Sequence, residues 1–181
     1  MKDDVWFGFD PGSRRSAAAG VRADGSPFIV GVYRSANGAL GMIKRVVDEL
    51  PPLLLWVGDG NNIKGIAVEG QKYRHARAKG SPDKLFPVAH VAGAAVGVLC
   101  ESFLVRICEP QNWKGSVPKA VHHRRLCRQL GWPYRESGTK DPYIIPQPPE
   151  DVLGAQHVKA TEWADVLDAI GIARWARENI K

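Results

Sequence analysis

The chain has 181 residues, 44% of them apolar, which is enough for one domain with a real hydrophobic core. No uninterrupted apolar run approaches the ~20 residues of a membrane span, and no secretory apolar stretch follows Met1, so a membrane or secreted protein is not expected. The cysteines Cys100, Cys108 and Cys127 form no CxxC pair, which favours reduced thiols in the cytoplasm over a zinc site.

The net charge of +6 is unevenly distributed. One basic stretch, interrupted only by Asp83, holds Lys72, Arg74, Arg77, Lys79 and Lys84. A second stretch without any acid holds Lys114, Lys119, His122, His123, Arg124, Arg125 and Arg128. Such stretches suit a polyanionic substrate, although either one alone is equally consistent with a solvated helix face.

The first third of the chain predicts an antiparallel three-stranded unit. Its apolar segments are Val5–Asp10, Ala17–Arg22 and Pro27–Tyr33, and Asp24-Gly25 between the last two is a hairpin signal. Apolar residues at helical spacing then predict a helix over Asn37–Leu50, which Pro51-Pro52 should end.

The rest of the chain alternates helix and strand patterns. The expected elements up to the second helix are Leu53–Val57 (a short strand or the end of the preceding connection), a turn at Asp59–Asn62, a strand at Ile63–Glu69 and a helix from about Pro82 or Lys84 to Glu101. They are followed by a strand at Phe103–Cys108, a loop at Pro110–Pro118, a basic helix at Lys119–Leu130, an irregular proline-rich excursion at about 131–160, and a closing helix at Thr161–Asn179 with Thr161 as N-cap. This order predicts an α/β fold with a mixed sheet in a single domain spanning residues 1–181.

Four carboxylates stand out in this arrangement. Asp10 ends the first strand before Pro11-Gly12, and Glu69 ends the fourth strand before Gly70. Asp165 and Asp168 are three residues apart on the closing helix, so they share one helix face. Each acid alone could be a turn former or a surface charge. Together they predict a two-metal nuclease centre, because Mg²⁺ prefers oxygen ligands and paired ions often drive phosphodiester cleavage.

Three segments containing these acids resemble motifs of RuvC-type Holliday junction resolvases, in the RNase H-like nuclease superfamily. The segments are Gly8-Phe9-Asp10-Pro11-Gly12-Ser13-Arg14, Ile66-Ala67-Val68-Glu69 and Asp165-Val166-Leu167-Asp168-Ala169-Ile170-Gly171-Ile172-Ala173. The segment Asn112–Lys119 is similar to the lysine-bearing connection of phage-type members. The resemblance implies an RNase H-like mixed five-stranded sheet flanked by helices, in a protein of a bacterial cell or a phage-infected host cytoplasm. The excursion at 131–160 is longer than compact members require, and its role is unassigned.

The resemblance also implies a reaction and a set of roles. Two Mg²⁺ or Mn²⁺ ions would be bridged by Asp10 and completed by Glu69, Asp165 and Asp168, and cleavage would leave 5′-phosphate and 3′-hydroxyl ends. Lys114 and Lys119 would contact the scissile phosphate. Four-way or branched DNA would be resolved by paired nicks, which calls for a homodimer with two sites related by two-fold symmetry.

Further basic and aromatic residues are candidates for binding the DNA. Arg14, Arg15, Arg124 and Arg125 could follow the phosphate backbone without reading its sequence, as could the first basic stretch. Bacterial family members place an aromatic residue just after the glutamate, where it enters the junction, and the nearest candidate here is Tyr73. His157 could assist the site, whereas His122 and His123 are interpreted as part of the basic helix.

Three other functions stay open on the sequence alone. The same centre could act on an RNA–DNA hybrid or an RNA precursor, or the chain could be a branched-DNA binding module without catalysis. The presence of all four acids argues against the binding module. A nucleotide-binding half of a sugar kinase or actin-like protein shares the strand–Asp–turn opening, but the length of this chain and its lack of a second glycine-rich phosphate motif argue against that.

Overall fold

A computed structural model describes residues 2–70, 82–139 and 142–181 of the chain. Five strands form a mixed sheet in the order β3-β2-β1-β4-β5. Their bounds are β1 Asp3–Asp10, β2 Arg15–Arg22, β3 Pro27–Arg34, β4 Asn61–Glu69 and β5 Val105–Cys108. The first three strands pair antiparallel, while β4 pairs parallel with both β1 and β5. The predicted RNase H-like α/β class, with a five-stranded mixed sheet flanked by helices, is confirmed.

The sheet separates two hydrophobic layers. Helices α1 (Gly38–Gly60) and α2 (Pro82–Leu99) cover one face, where Phe7 and Phe9 of β1 are buried. Helices α4 (Lys119–Gln129) and α5 (Trp163–Asn179) cover the other face, where Trp6 is buried among α5 residues. Alternation of side chains along each strand therefore fills both layers. No helix in the described ranges is long and apolar enough to cross a membrane.

Helix α1 is longer than the sequence pattern predicts. It continues through Pro51 and Pro52 to Gly60, and β4 begins at the next residue. The predictions of a helix end at Pro51, of a possible strand at 53–57 and of a turn at 59–62 are therefore wrong. Each proline removes one helical hydrogen bond, but the apolar stripe carrying Leu54 and Val57 stays buried and keeps the helix on the sheet.

Two further expectations need correction. The segment 110–118, expected to be a loop, contains the short helix α3 (Pro110–Lys114), with Pro110 at its first position, where a missing N–H costs nothing. Helix α5 begins at Trp163 rather than Thr161, and Thr161 lies exposed in a preceding 3₁₀ turn (Ala160–Glu162). Thr161 is thus not the N-cap.

The proline-rich excursion has local structure. It forms a two-stranded antiparallel hairpin of β6 (Tyr134–Glu136) and β7 (Ile144–Pro146), from which Ile144 enters the core on the α5 face. Further along, Leu153 exchanges backbone hydrogen bonds with β3: its N–H donates to Phe28 and its carbonyl accepts from Val30, both at 2.9 Å. The excursion therefore pairs with the outer edge of β3 around Ile29, where the backbone groups of Phe28 and Val30 would otherwise be unpaired.

Candidate active site

Asp10 and Glu69 end neighbouring parallel strands at the same edge of the sheet. Phe9 is in register with Val68, so the next residue of each strand, Asp10 and Glu69, leaves the sheet at the same level. Asp10 is two residues after Gly8, and Glu69 is two residues after Ala67. Since side chains alternate, both acids point to the face that α5 covers.

Helix α5 carries the other two acids and lies directly on β1. A Cβ built on Gly8 would be 2.2 Å from the Ala169 carbonyl oxygen and 2.3 Å from the Ala173 nitrogen. Such closeness is possible only with glycine at this position of the strand. Asp165 and Asp168 lie in the turn of α5 just before Ala169, and their charges act on Asp10. The structure thus brings all four predicted acids together.

The pKa values of Asp10 and Glu69 show how tightly the acids are grouped. Burial raises the pKa of Asp10 well above its usual range, and the carboxylates of Asp168 and Glu69 raise it further, with Lys119 opposing. Burial also raises the pKa of Glu69, while Lys114 and a hydrogen bond with the Asp10 side chain lower it. Two hydrogen-bonded carboxyls titrate as a pair, and burial raises the pKa of both members, that of Asp10 well above its usual range.

Asp168 is buried and fully engaged on both oxygens. It is 3% exposed, its Oδ1 lies 2.7 Å from Nε2 of His123, and Lys119 contacts its Oδ2. Burial acts to raise the pKa of Asp168, but the hydrogen bond from His123 and the charge of Lys119 outweigh it, so the pKa lies below the usual value. The two contacts therefore favour the carboxylate form of Asp168.

Asp165 is more open and is also paired with cations. Arg15 of β2 contacts its Oδ2 through Nε, and Nζ of Lys119 lies 3.8 Å from its Oδ1. Burial lowers the pKa of Lys119, but the charges of Asp168, Asp10 and Asp165 raise it overall, so the lysine stays protonated. The charge of Lys119 also lowers the pKa of Glu69, so Lys119 acts as a shared counter-cation for all four acids.

Lys114 is the second lysine near the acids. Its charge lowers the pKa of Glu69, and its Nζ lies 4.9 Å from the ring centroid of Trp113, within cation–π range. Helix α3 therefore places Lys114 at the Glu69 side of the cluster, while α4 places Lys119 at the Asp168 side.

The donor set fits a divalent ion chemically. Four carboxylates offer the oxygen ligands that Mg²⁺ and Mn²⁺ prefer, and the raised pKa values of Asp10 and Glu69 indicate negative charge that a cation would relieve. Within the described residues, no three His, Cys, Asp or Glu side chains already form a metal-binding group. Asp165 is instead paired with Arg15, and Asp168 with Lys119. A divalent metal ion would therefore have to displace these basic side chains from the two carboxylates.

The other predicted DNA-binding residues differ in their positions. Arg14 and Arg125 are exposed, but Arg124 is paired with Glu136 of the hairpin through hydrogen bonds of 2.8 and 3.1 Å. His157 is exposed, and its ring lies 3.4 Å from Gln156. The predictions for Lys72, Tyr73, Arg74, Arg77 and Lys79 fall on residues outside the described ranges.

Two residues of the site have roles that the sequence interpretation missed. His123, interpreted as part of a basic helix, is 1% exposed and contacts Asp168. Arg15, predicted to follow the DNA backbone, contacts Asp165, a partner that the sequence interpretation did not predict. The burial of His123 could have been predicted from the sequence, because His123, Leu126 and Cys127 are spaced so that they lie on one face of a helix. In the structure, all three are buried.

Comparisons with known proteins agree with this fold. No protein-family model and no curated protein matches the sequence. Among solved structures, the chain is similar to RuvC of Thermus thermophilus in complex with a Holliday junction substrate, with 16% identity, a TM-score of 0.64, and coverage of 96% of this chain and 94% of that one. A second Thermus thermophilus RuvC structure gives 16% identity, a TM-score of 0.58, and coverage of 96% and 95%. The chain therefore has a RuvC-like fold over nearly its whole length, as the sequence motifs predicted.

Proposed function

We propose that this protein is a divalent-metal-dependent endonuclease that resolves Holliday junctions or other branched DNA by paired nicks, leaving 5′-phosphate and 3′-hydroxyl ends. The observation that carries the proposal is the convergence of Asp10, Glu69, Asp165 and Asp168 at one sheet edge under α5. The similarity in fold to a RuvC described in complex with a Holliday junction substrate supports the choice of branched DNA.

The four acids would hold the metal, and the pKa shifts of Asp10 and Asp168 indicate how their protonation would change when it binds. When bound, two divalent ions would activate the attacking water and stabilise the leaving 3′-oxygen. The raised pKa of Asp10 favours its protonated form, so a metal ion bound there would release a proton, whereas the lowered pKa of Asp168 favours the carboxylate that a metal ion requires. Asp10 is best placed to be shared between ions, because the other three acids surround it.

The lysines would act on the DNA. Once an ion replaces it beside Asp168, the half-exposed Lys119 is free to reach a phosphate oxygen at the site. Lys114 lies at the Glu69 side and could contact the neighbouring phosphate. The exposed Arg14 and Arg125 would bind the backbone of the arms without reading sequence.

Paired nicks require a second active site. The chain supplies one set of four acids, so symmetric cleavage of two strands needs a homodimer with two-fold symmetry. A four-way junction has two-fold symmetry that matches such a dimer. Cutting a linear duplex at one position requires no such symmetry.

A cleavage assay with three substrates tests the proposal. Purified protein is incubated with a four-way junction, a linear duplex of the same arm sequence and an RNA–DNA hybrid, each with Mg²⁺ or with a chelator. We expect symmetric junction cleavage that requires Mg²⁺ and is lost in Asp10→Asn. Asp151→Asn is the matched control, because Asp151 is an exposed acid in the excursion.

The alternatives give different outcomes. Cleavage confined to the hybrid would assign the centre to RNA, and tight junction binding without cleavage would assign a binding module. Undiminished junction cleavage by Asp10→Asn would refute the site itself.

A further inference from the structure

Helix α4 contacts Asp168 through two side chains one helical turn apart. Nε2 of His123 lies 2.7 Å from Oδ1, and Nζ of Lys119 contacts Oδ2. Lys119 and His123 are at i and i+4, so both face α5 from the same side of α4. Each oxygen of this carboxylate therefore has its own partner.

The two partners differ in how firmly they are held. The Lys119 side chain is 45% exposed on a flexible stem, whereas the His123 side chain is 2% exposed. Leu126 and Cys127, buried on the same face of α4, anchor the helix segment that carries the imidazole. An ion or a phosphate can therefore draw Lys119 away, while His123 has no room to leave.

The direction of the hydrogen bond follows from the chemistry of the groups. Because the Lys119 ammonium contacts Oδ2, we assign the carboxylate of Asp168 as the acceptor of both contacts, so Nε2 of His123 carries the hydrogen and donates it to Oδ1. A donor fixed on one oxygen sets the rotation of the carboxylate and leaves the other oxygen available. In metal sites such outer hydrogen bonds orient the ligands and tune their affinity.

We infer that His123 is a positioning residue that holds Oδ1 of Asp168, so that Oδ2, the oxygen now covered by Lys119, is the one presented to a divalent ion. The inference rests on the proposed function, because it assumes that Asp168 is a metal ligand. It assigns to a buried histidine of α4 a role in metal affinity rather than in contact with DNA.

The neighbouring histidine provides a matched control. His122 belongs to the same helix, but its ring packs edge-on against Trp113 at a centroid distance of 5.0 Å and lies beside Gly171. A change at His122 also alters the packing of α4, including its edge contact with the His123 ring at 6.0 Å, while the hydrogen bond from His123 to Asp168 stays in place.

The test measures binding of Mn²⁺ alone, by electron paramagnetic resonance of the free ion, in the full chain without DNA. We expect His123→Leu to weaken Mn²⁺ binding about 10–100-fold, a typical cost of losing an outer partner. His123→Gln, whose amide nitrogen can replace Nε2, should recover most of the affinity, and His122→Gln should bind like the wild type. Melting curves by circular dichroism verify the fold of each variant.

A second pair of variants keeps the test decisive if His123→Leu does not fold. His123→Asn is one methylene shorter than Gln and cannot reach Oδ1, so it should bind Mn²⁺ more weakly than His123→Gln. Wild-type affinity in folded His123→Leu, or equal wild-type affinity in the Asn and Gln variants, would overturn the inference and leave the proposed function intact. Failure of the wild type itself to bind Mn²⁺ would overturn both.

Discussion

Gly8 of β1 and Ala169 of α5 are in backbone contact. A Cβ on Gly8 would lie 2.2 Å from the Ala169 carbonyl oxygen, far inside van der Waals distance. Because Asp168 directly precedes Ala169, and Asp10 is two residues after Gly8, this contact sets the distance between the helix acids and the strand acids. Packing and chemistry therefore depend on the same glycine.

Replacing Gly8 by alanine should separate the helix from the sheet. The added methyl group meets backbone atoms, which cannot rotate away, so we expect a loss of about 3 kcal/mol or more in the free energy of unfolding. Urea denaturation measures this loss, and Mn²⁺ binding should weaken with it. The control is Gly31→Ala in β3, where nothing lies within 4 Å of the added Cβ. Equal stabilities for the two variants would contradict this account of the contact.

The sequence predicted the sheet, the order of the acids and their common edge, because strand alternation and strand ends are local patterns. It did not predict which cations the acids would contact. Lys119 and Arg15 have long, flexible side chains. The spacing of residues in the sequence does not determine whether such a side chain points to solvent or toward the acids. The prediction of an N-cap at Thr161 failed where a local capping signal meets a long-range ion pair, because Thr161 lies in the 3₁₀ turn before α5 and its neighbour Glu162 is paired across the sequence.

That ion pair connects Glu162 to Arg34. Nε of Arg34 donates to Glu162 Oε1 at 2.6 Å, while the Lys159 N–H donates to Oε2 at 2.9 Å. Glu162 is 4% exposed, and its pKa is lowered chiefly by the hydrogen bond from Arg34. The end of β3 is thereby tied to the start of α5, the helix that carries Asp165 and Asp168.

Alanine substitutions at these two neighbours should therefore differ. We expect Glu162→Ala to lower the free energy of unfolding by about 1–3 kcal/mol, since it removes the carboxylate that accepts from Arg34 and from the Lys159 N–H and leaves Arg34 only the His157 carbonyl. Thr161→Ala should change it by less than about 0.5 kcal/mol, because Thr161 is exposed and caps no helix. Thermal and urea unfolding of both variants give the comparison, and a larger loss at Thr161 would restore the capping interpretation.

Asp10 and Asp168 should affect metal-free stability with opposite signs. The pKa of Asp10 is raised by burial, so between the ordinary carboxyl pKa and its higher folded value the folded state binds more protons than the unfolded state. Stability falls as pH rises through that window. The pKa of Asp168 is lowered, so its contribution is present above the ordinary carboxyl pKa and is lost as pH falls through the folded value.

In chelator at pH 7, Asp10→Asn should therefore raise the free energy of unfolding, and Asp168→Asn should lower it. The gain in Asp10→Asn should shrink as pH falls toward about 4 and disappear below it, where the wild-type carboxyl is protonated in both states. Urea denaturation at a series of pH values measures both trends. A loss of stability in Asp10→Asn at pH 7 would show that Asp10 is a stabilising charge and not a strained one.

Lys119 should compete with the metal and yet assist cleavage. Its Nζ contacts Asp168 and lies 3.8 Å from Asp165, so an incoming ion must displace it. In Lys119→Met we expect a lower melting temperature in chelator, because the clustered acids lose their counter-cation, and a tighter Mn²⁺ affinity. Junction cleavage at saturating Mg²⁺ should nevertheless fall about 10²-fold, since a charge aimed at the phosphate is gone.

The control for Lys119 is Lys44→Met, which removes an equivalent charge from an exposed position on α1. It should leave melting, Mn²⁺ affinity and cleavage unchanged, so any shift seen only in Lys119→Met belongs to the acid cluster. The opposed directions of affinity and cleavage separate competition from simple loss of structure, which would weaken both. If Lys119→Met bound Mn²⁺ more weakly than the wild type, the lysine would be a support for the metal and not its competitor.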